Sequence, residues 1–102
     1  MMAMKKNHLN LIGLAYRARQ CSAGEEIIIQ DIKTKKAKLV LIAEDISAST
    51  KKKLTDKCDS YNIPYTEAGN RAELGNAIGK AERVAIAILD DGFAKKLQTL
   101  LL

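Results

Sequence analysis

Aromatic side chains are nearly missing: the 102 residues hold no Trp, one Phe and three Tyr. A module that binds single strands by stacking bases on a platform of rings is therefore excluded. Histidine occurs once, as His8, and the only cysteines, Cys21 and Cys58, form no CxxC. No zinc set can be assembled at usual spacing, and no metal site is expected. The lone histidine reads as a surface residue, and Cys58, on an apolar stripe, as core rather than nucleophile. Two isolated thiols fit a reduced, cytosolic protein, with a disulfide between them the less favoured alternative. Neither GxGxxG nor GxxxxGK(S/T) is present, so no glycine loop cradles a phosphate. No apolar run approaches the roughly 20 residues of a membrane helix. The start, Met1–Lys6, has no apolar core behind it and does not read as a signal peptide. Linkers, repeats and low-complexity tracts are also missing, which leaves one domain over residues 1–102.

What is present is basic. Seventeen Lys and Arg against twelve Asp and Glu give a net charge of +5 and a pI near 9.3. For a small chain that favours polyanionic partners, nucleic acid first, over the alternative of a plain solvated surface.

The most informative stretch is Ala37-Lys38-Leu39-Val40-Leu41-Ile42-Ala43-Glu44-Asp45. Its apolar centre has the length of a strand buried on both faces, and Val84–Leu89 is a second such strand. Helices are expected around them. Leu9, Ile12 and Tyr16 recur at helical spacing over Asn7–Arg19, with Leu11, Ala15 and Ala18 widening the face. Ser22-Ala23-Gly24-Glu25 has the spacing of a capping box that opens a second helix, with Ile28 and Ile32 inward and Glu26, Gln30 and Lys33 outward. The run Ile27–Ile29 leaves a strand open there, and a short strand around Cys21 is a further option. Ser47 or Ser49 caps a third helix to about Tyr61, with Leu54 and Cys58 inward. Pro64 ends it and begins a short edge strand to Glu67. Asn70-x-x-Glu73 caps a short fourth helix that Gly79 stops, and Gly75-x-x-x-Gly79 reads as a close-packing pair. Asp91 caps the last helix, whose apolar face is Phe93, Leu97, Leu100 and Leu101. The alternation gives an α/β fold: a three-layer α/β/α sandwich on a mixed sheet of about four strands, with right-handed crossovers.

Glu44-Asp45 and Asp90-Asp91 each follow an apolar strand. Such pairs could hold Mg²⁺ or act as a phosphoacceptor. Helix capping explains them better, because they stand ahead of helix N-termini and no acidic first strand accompanies them.

Gly24, the Ala37–Asp45 block, Cys58, Ile63-Pro64-Tyr65 and Leu74-Gly75-x-x-x-Gly79 together resemble the kink-turn-binding ribosomal-protein superfamily, the group of large-subunit ribosomal protein L-seven-Ae and its relatives. The resemblance covers about Asn7 to Leu102. It implies the same sandwich, no enzymatic activity, no cofactor, and binding of bent RNA with a bulge flanked by sheared G·A pairs. In that family a Gly-x-Asn-Glu-x-x-Lys motif opens the second helix. Gly24 falls on its glycine, Glu26 on Asn, Ile27 on Glu and Gln30 on Lys. The implied RNA-binding residues are Gly24, Glu25, Glu26, Gln30, Lys33, Ser47, Gly69, Asn70 and Arg71, with Ala68 beside them. Lys33, Lys35, Lys36 and Arg71 are expected to neutralise phosphates. The implied partners are structured, kink-turn-like RNA, ribosomal RNA or an mRNA leader, and the ribosome; no membrane is expected, and the protein is expected to be a cytoplasmic monomer. Replacement of three motif residues leaves a second reading open, a protein-interaction module that kept the fold and contacts its partner through Ile27.

Overall fold

In the computed structural model, which describes residues 7–101, the elements run α1 (Asn7–Arg17), β1 (Cys21–Ser22), α2 (Glu25–Lys33), β2 (Leu39–Ile42), α3 (Ala48–Tyr61), β3 (Tyr65–Glu67), α4 (Arg71–Ala77), β4 (Ala85–Ile88) and α5 (Asp91–Leu101). The reading of Met1–Lys6 falls outside the described residues.

Every side chain of β2 and β4 is buried, because helices cover both faces of the sheet. Successive strand residues point to opposite faces, and the core divides accordingly. Leu39, Leu41, Ile86 and Ile88 pack with Ile12 and Ala15 of α1, Leu74 of α4, and Ala94 and Leu97 of α5. Val40, Ile42, Ala85 and Ala87 pack with Ile28 and Ile32 of α2 and Leu54 and Cys58 of α3. Three layers result, with α1, α4 and α5 on one face and α2 and α3 on the other.

The sheet order is β1-β4-β2-β3. β2 is parallel to β3, with Val40 opposite Tyr65, and antiparallel to β4, with Leu41 opposite Ile86. β1 is antiparallel to β4 through Cys21↔Ile88 and Ser22↔Ala87. The ends of β1, β2 and β3 and the start of β4 therefore lie along one edge of the sheet. His8 reaches the same edge from α1, its Nε2 standing 2.8 Å from the Ala68 carbonyl oxygen.

Several local expectations need correction. Ser22 does not cap α2: it pairs with Ala87 in β1, Gly24 takes the N-cap position, and no side chain caps the helix. Asp90, not Asp91, caps α5, its Oδ2 accepting from the Phe93 N–H at 2.9 Å. His8 is buried rather than a surface residue. The helix α1 ends at Arg17, and Ala18 is exposed beyond it. Leu100 is exposed, as is Leu14 on α1.

Other signals hold. Ser47 caps α3, its Oγ accepting from the Thr50 N–H at 3.2 Å, and Asn62 ends that helix in the left-handed region at φ 58. Asn70 and Glu73 form a reciprocal capping box on α4. Gly75 faces the Ala81–Glu82 backbone so closely that a Cβ would overlap the Ala81 carbonyl. Gly79 lies beyond α4 at φ 71 with no neighbour near its Cβ direction, so it ends the helix and packs on nothing.

Candidate nucleic-acid interface

Three helices begin along the edge where β1, β2 and β3 end, with Gly24, Ser47 and Asn70 at their N-cap positions. A helix start exposes N–H groups without intrahelical partners and carries roughly half a positive charge. The β4 start brings a fourth connection, 79–84, into the same row, between β1 and β2 in strand order.

The connections brace one another. The Glu44 N–H donates to the Gly69 carbonyl at 2.8 Å, and the Ala68 N–H to the Ile42 carbonyl at 3.1 Å. Gly69 adopts φ 121, a conformation that favours glycine, so the chain can turn from β3 into α4 there. Asp45 accepts from the Arg71 N–H at 2.8 Å and pairs with the Arg71 guanidinium at 3.4 Å. The backbone hydrogen bond from Arg71 holds the Asp45 carboxyl below its ordinary pKa, and the guanidinium acts in the same direction. Asp45 thus caps α4, not the helix that follows it in sequence, and its carboxylate is already engaged where the phosphoacceptor alternative needed it free. Among the described residues no group of three or more His, Cys, Asp or Glu could hold a metal ion.

Each expected site residue has a definite place. Gly24, Glu25 and Glu26 open α2, and with Ile27 and Lys53 they line a shallow depression of about 440 Å³. Glu26, Gln30 and Lys33 are exposed and form one stripe down α2. Lys33, the last residue of α2, lies about 12 Å along the axis from Glu25. Lys33, Lys35 and Lys36 therefore sit toward the opposite end of the sheet from Arg71. The expected phosphate-binding set is divided, with three lysines at one end and one arginine at the other. Ser47, Gly69, Asn70 and Arg71 gather at the β2–β3 side of the edge. A larger cleft of about 920 Å³, between α1 and α4, contains none of the expected site residues.

Sequence reasoning missed three neighbours. Lys53 of α3 pairs with Glu25 at 2.9 Å, across 28 positions. Glu82 approaches the Arg71 guanidinium at 3.7 Å. The Arg83 N–H donates to the Arg71 carbonyl at 3.1 Å, while its guanidinium folds back onto the carbonyls of Ala81 and Glu82. Only the side-by-side packing of α2 and α3 brings Lys53 to Glu25, so no local spacing could have revealed that pair. Ile27, beside them, is 58% exposed, a large apolar group at the mouth of a polar depression.

The two thiols lie apart from this edge. Burial pushes Cys21 up to about 12 and Cys58 up to about 11, the latter with help from the Asp59 charge. Both are free, protonated thiols at neutral pH.

The model of the ribosomal protein L7Ae/L30e/S12e/Gadd45 family matches residues 6–98. The chain is 52% identical over 91 residues to the RNA-binding protein YlxQ of Bacillus subtilis, covering 89% of this chain and 91% of that one. It is 30% identical over 90 residues to the large ribosomal subunit protein eL8 of Thermoplasma volcanium, covering 87% of this chain and 74% of the relative. A solved structure of a Bacillus halodurans protein of unknown function superposes with a TM-score of 0.89 at 48% identity, covering 93% of this chain and 96% of the other.

Proposed function

The chain belongs to the ribosomal protein L7Ae/L30e/S12e/Gadd45 family, and from that premise we propose that it is a non-catalytic RNA-binding protein that recognises a kink-turn or a similarly bent RNA. The observation that carries this reading is placement: residues from three separate connections, Gly24–Glu26, Ser47 and Gly69–Arg71, share one edge of the sheet. A continuous duplex presents a uniform surface, whereas a bend with bulged and non-canonical pairs presents two walls at an angle. The α2 start and the Gly69–Arg71 loop, on opposite layers, are disposed to meet such walls.

The roles follow from chemistry. Gly24 has no side chain and lets RNA approach the α2 backbone closely. Glu26 accepts hydrogen bonds from guanine N1–H and N2–H₂, and Gln30 adds a neutral donor and acceptor. Lys33, Lys35 and Lys36 extend the stripe along the RNA backbone. Arg71 is held by two carboxylates, but exposed pairs of this kind are worth only about 0–1 kcal/mol, so a phosphate can take the guanidinium over. Phosphate contacts hold register while base edges give specificity. The relative named as a large-subunit ribosomal protein supports ribosome association, and the proposal further takes the protein as a cytoplasmic monomer whose RNA is ribosomal or an mRNA leader.

Calorimetric titration with a kink-turn duplex, and with the same duplex lacking its bulge, tests this. Tighter binding of the bulged RNA, weakening with salt, is expected; equal weak binding of both would sink bent-RNA recognition.

The exposure of Ile27 favours one second reading. An apolar side chain amid Glu25 and Glu26 suits a protein contact better than a phosphate backbone. On that reading Ile27→Ser abolishes capture of a partner protein and leaves RNA affinity unchanged.

A further inference from the structure

Three consecutive lysines on α3 are engaged in three different ways. Lys51 pairs with Glu67 at the end of β3 at 2.7 Å, and Lys52 with Asp56 one turn along its own helix at 2.9 Å. Lys53 crosses to α2 and meets Glu25 at 2.9 Å. Successive residues of a helix point about 100° apart, so one charge in three reaches the α2 start. Of the five residues that line the depression there, two are carboxylates, one is apolar and one is glycine. Lys53 is the single cation among them.

We infer that Lys53 is a phosphate-binding residue of the RNA face, and that Glu25 positions its ammonium group in the apo protein and yields it to the RNA. The inference rests on the RNA-binding reading above. Its physical basis is local charge. A polyanion entering a depression bordered by Glu25 and Glu26 meets repulsion unless a cation is fixed in the same place. The nearest cations on α2 itself, Lys33 and its followers, lie at the far end of that helix, about 12 Å away, beyond a Debye length at ordinary salt. Gln30 is neutral. Lys53 is half-exposed, and its ammonium is held at the depression by an ion pair that a phosphate can replace. Glu25 keeps the four-carbon side chain extended toward α2 in the apo state, which lowers the ordering that RNA binding must impose.

The test uses the full chain, a kink-turn duplex and its bulge-free counterpart, over a salt series. Lys53→Gln is expected to weaken kink-turn binding about fivefold at moderate salt and to reduce the salt slope by about one. Lys52→Gln removes the same charge one residue away and should leave both unchanged within about twofold. Lys53→Arg should retain most of the affinity. Glu25→Gln should tighten binding, because loss of the repelling charge and of the competing ion pair outweighs the lost positioning, and the Glu25→Gln, Lys53→Gln pair completes a cycle. If Glu25 acts through Lys53 in addition to its own charge, its effect changes when Lys53 is absent, and strict additivity across the cycle overturns the positioning role. A Lys53→Gln protein that still binds like wild type, while wild type still prefers the bulged duplex, overturns this inference and leaves the function standing. Equal losses from Lys52→Gln and Lys53→Gln also overturn it, since that is general charge. Wild type without preference for the bulged duplex removes both. Circular dichroism melts of all variants separate these outcomes from misfolding; Lys52 and Lys53 are exposed and Glu25 is partly buried.

Discussion

Replacing Gly75 with alanine sets two effects of opposite sign against each other. In an ordinary helix interior, alanine is favoured over glycine by about 1 kcal/mol. Gly75 is buried in α4, and its backbone lies against the loop that leads into β4. A Cβ there would overlap the Ala81 carbonyl and stand 3.0 Å from the Glu82 Cα. Both neighbours are backbone, which cannot rotate away as a side-chain tip can. Overpacking of this kind costs about 1–3 kcal/mol, and the upper end applies because whole peptide units must shift. The Gly75 carbonyl also accepts from the Ile78 N–H at 3.1 Å and the Lys80 N–H at 2.9 Å, and the shift strains both bonds. After the propensity gain, the expected net loss is about 2 kcal/mol, a fall in melting temperature of roughly 8–16 °C for a domain of this size. Urea denaturation at fixed pH measures it. Gly24→Ala is the steric control: Gly24 has φ −94, and its Cβ would meet only the Ile27 side chain, at ordinary contact distance. That variant should lose only about 0.5–1 kcal/mol, the cost of alanine replacing glycine at an N-cap, with no steric penalty added. A Gly75→Ala protein as stable as wild type, or more so, would show that the α4–loop contact is not tight and would refute the reasoning.

Further outcomes follow from other residues. Asp90→Ala should destabilise by about 1 kcal/mol through loss of the α5 cap, while Asp91→Ala, one residue on, should be nearly neutral; paired urea curves distinguish them. The carboxyl of Asp45 titrates below its ordinary 3.8 in the folded state, so its stabilising effect is present above that pH and disappears as pH falls through the lowered native value. Asp45→Asn should therefore narrow its deficit against wild type in acid, read from urea midpoints at stepped pH; a constant deficit would contradict the assignment. With Cys21 pushed up to about 12 and Cys58 to about 11, a thiol reagent at pH 8 should label the native protein far more slowly than the urea-unfolded chain. Leu54→Ala, a fully buried truncation under α3, should cost about 2–5 kcal/mol by thermal melt.

The parts of this fold that could be read in the sequence are those set by local pattern. Two uninterrupted apolar strands marked a sheet covered on both faces, and helical spacing at Ile28/Ile32 and Leu54/Cys58 marked the layer above it. Ser47 and Asn70 cap their helices as their spacing suggests, because a cap is a contact within four residues. The failures are contacts made across the chain. Ser22 and Glu25 have the spacing of a capping box, but β4 claims Ser22 for an edge strand and Lys53 claims Glu25. The surroundings of His8 are set by a carbonyl 60 residues away. At Asp90-Asp91 either carboxylate matched the pattern, and a single residue of chain decided between them. In the candidate interface, the resemblance pointed to three connections that the fold brings to one edge, and the sheet topology supplied what no spacing could: the separation of Lys33 from Arg71 and the closeness of Lys53 to Gly24.

The two sides of the candidate edge hang from unequal supports. The Gly69–Arg71 side follows a three-residue parallel ladder and is clasped by Glu44, Asp45 and a capping box. The Gly24 side follows β1, two residues long, at the border of the sheet, in a segment whose Ser22 hydroxyl is enclosed without a hydrogen-bond partner among the described residues. Opening β1 disturbs two pairs of residues; opening β3 dismantles a lattice of them. Amide exchange should accordingly be fastest along Cys21–Glu25. One jaw of the edge is thus expected to act as a fixed anvil, and the other, where Glu26, Ile27 and Gln30 replace the motif that the family resemblance implies, as the jaw that breathes.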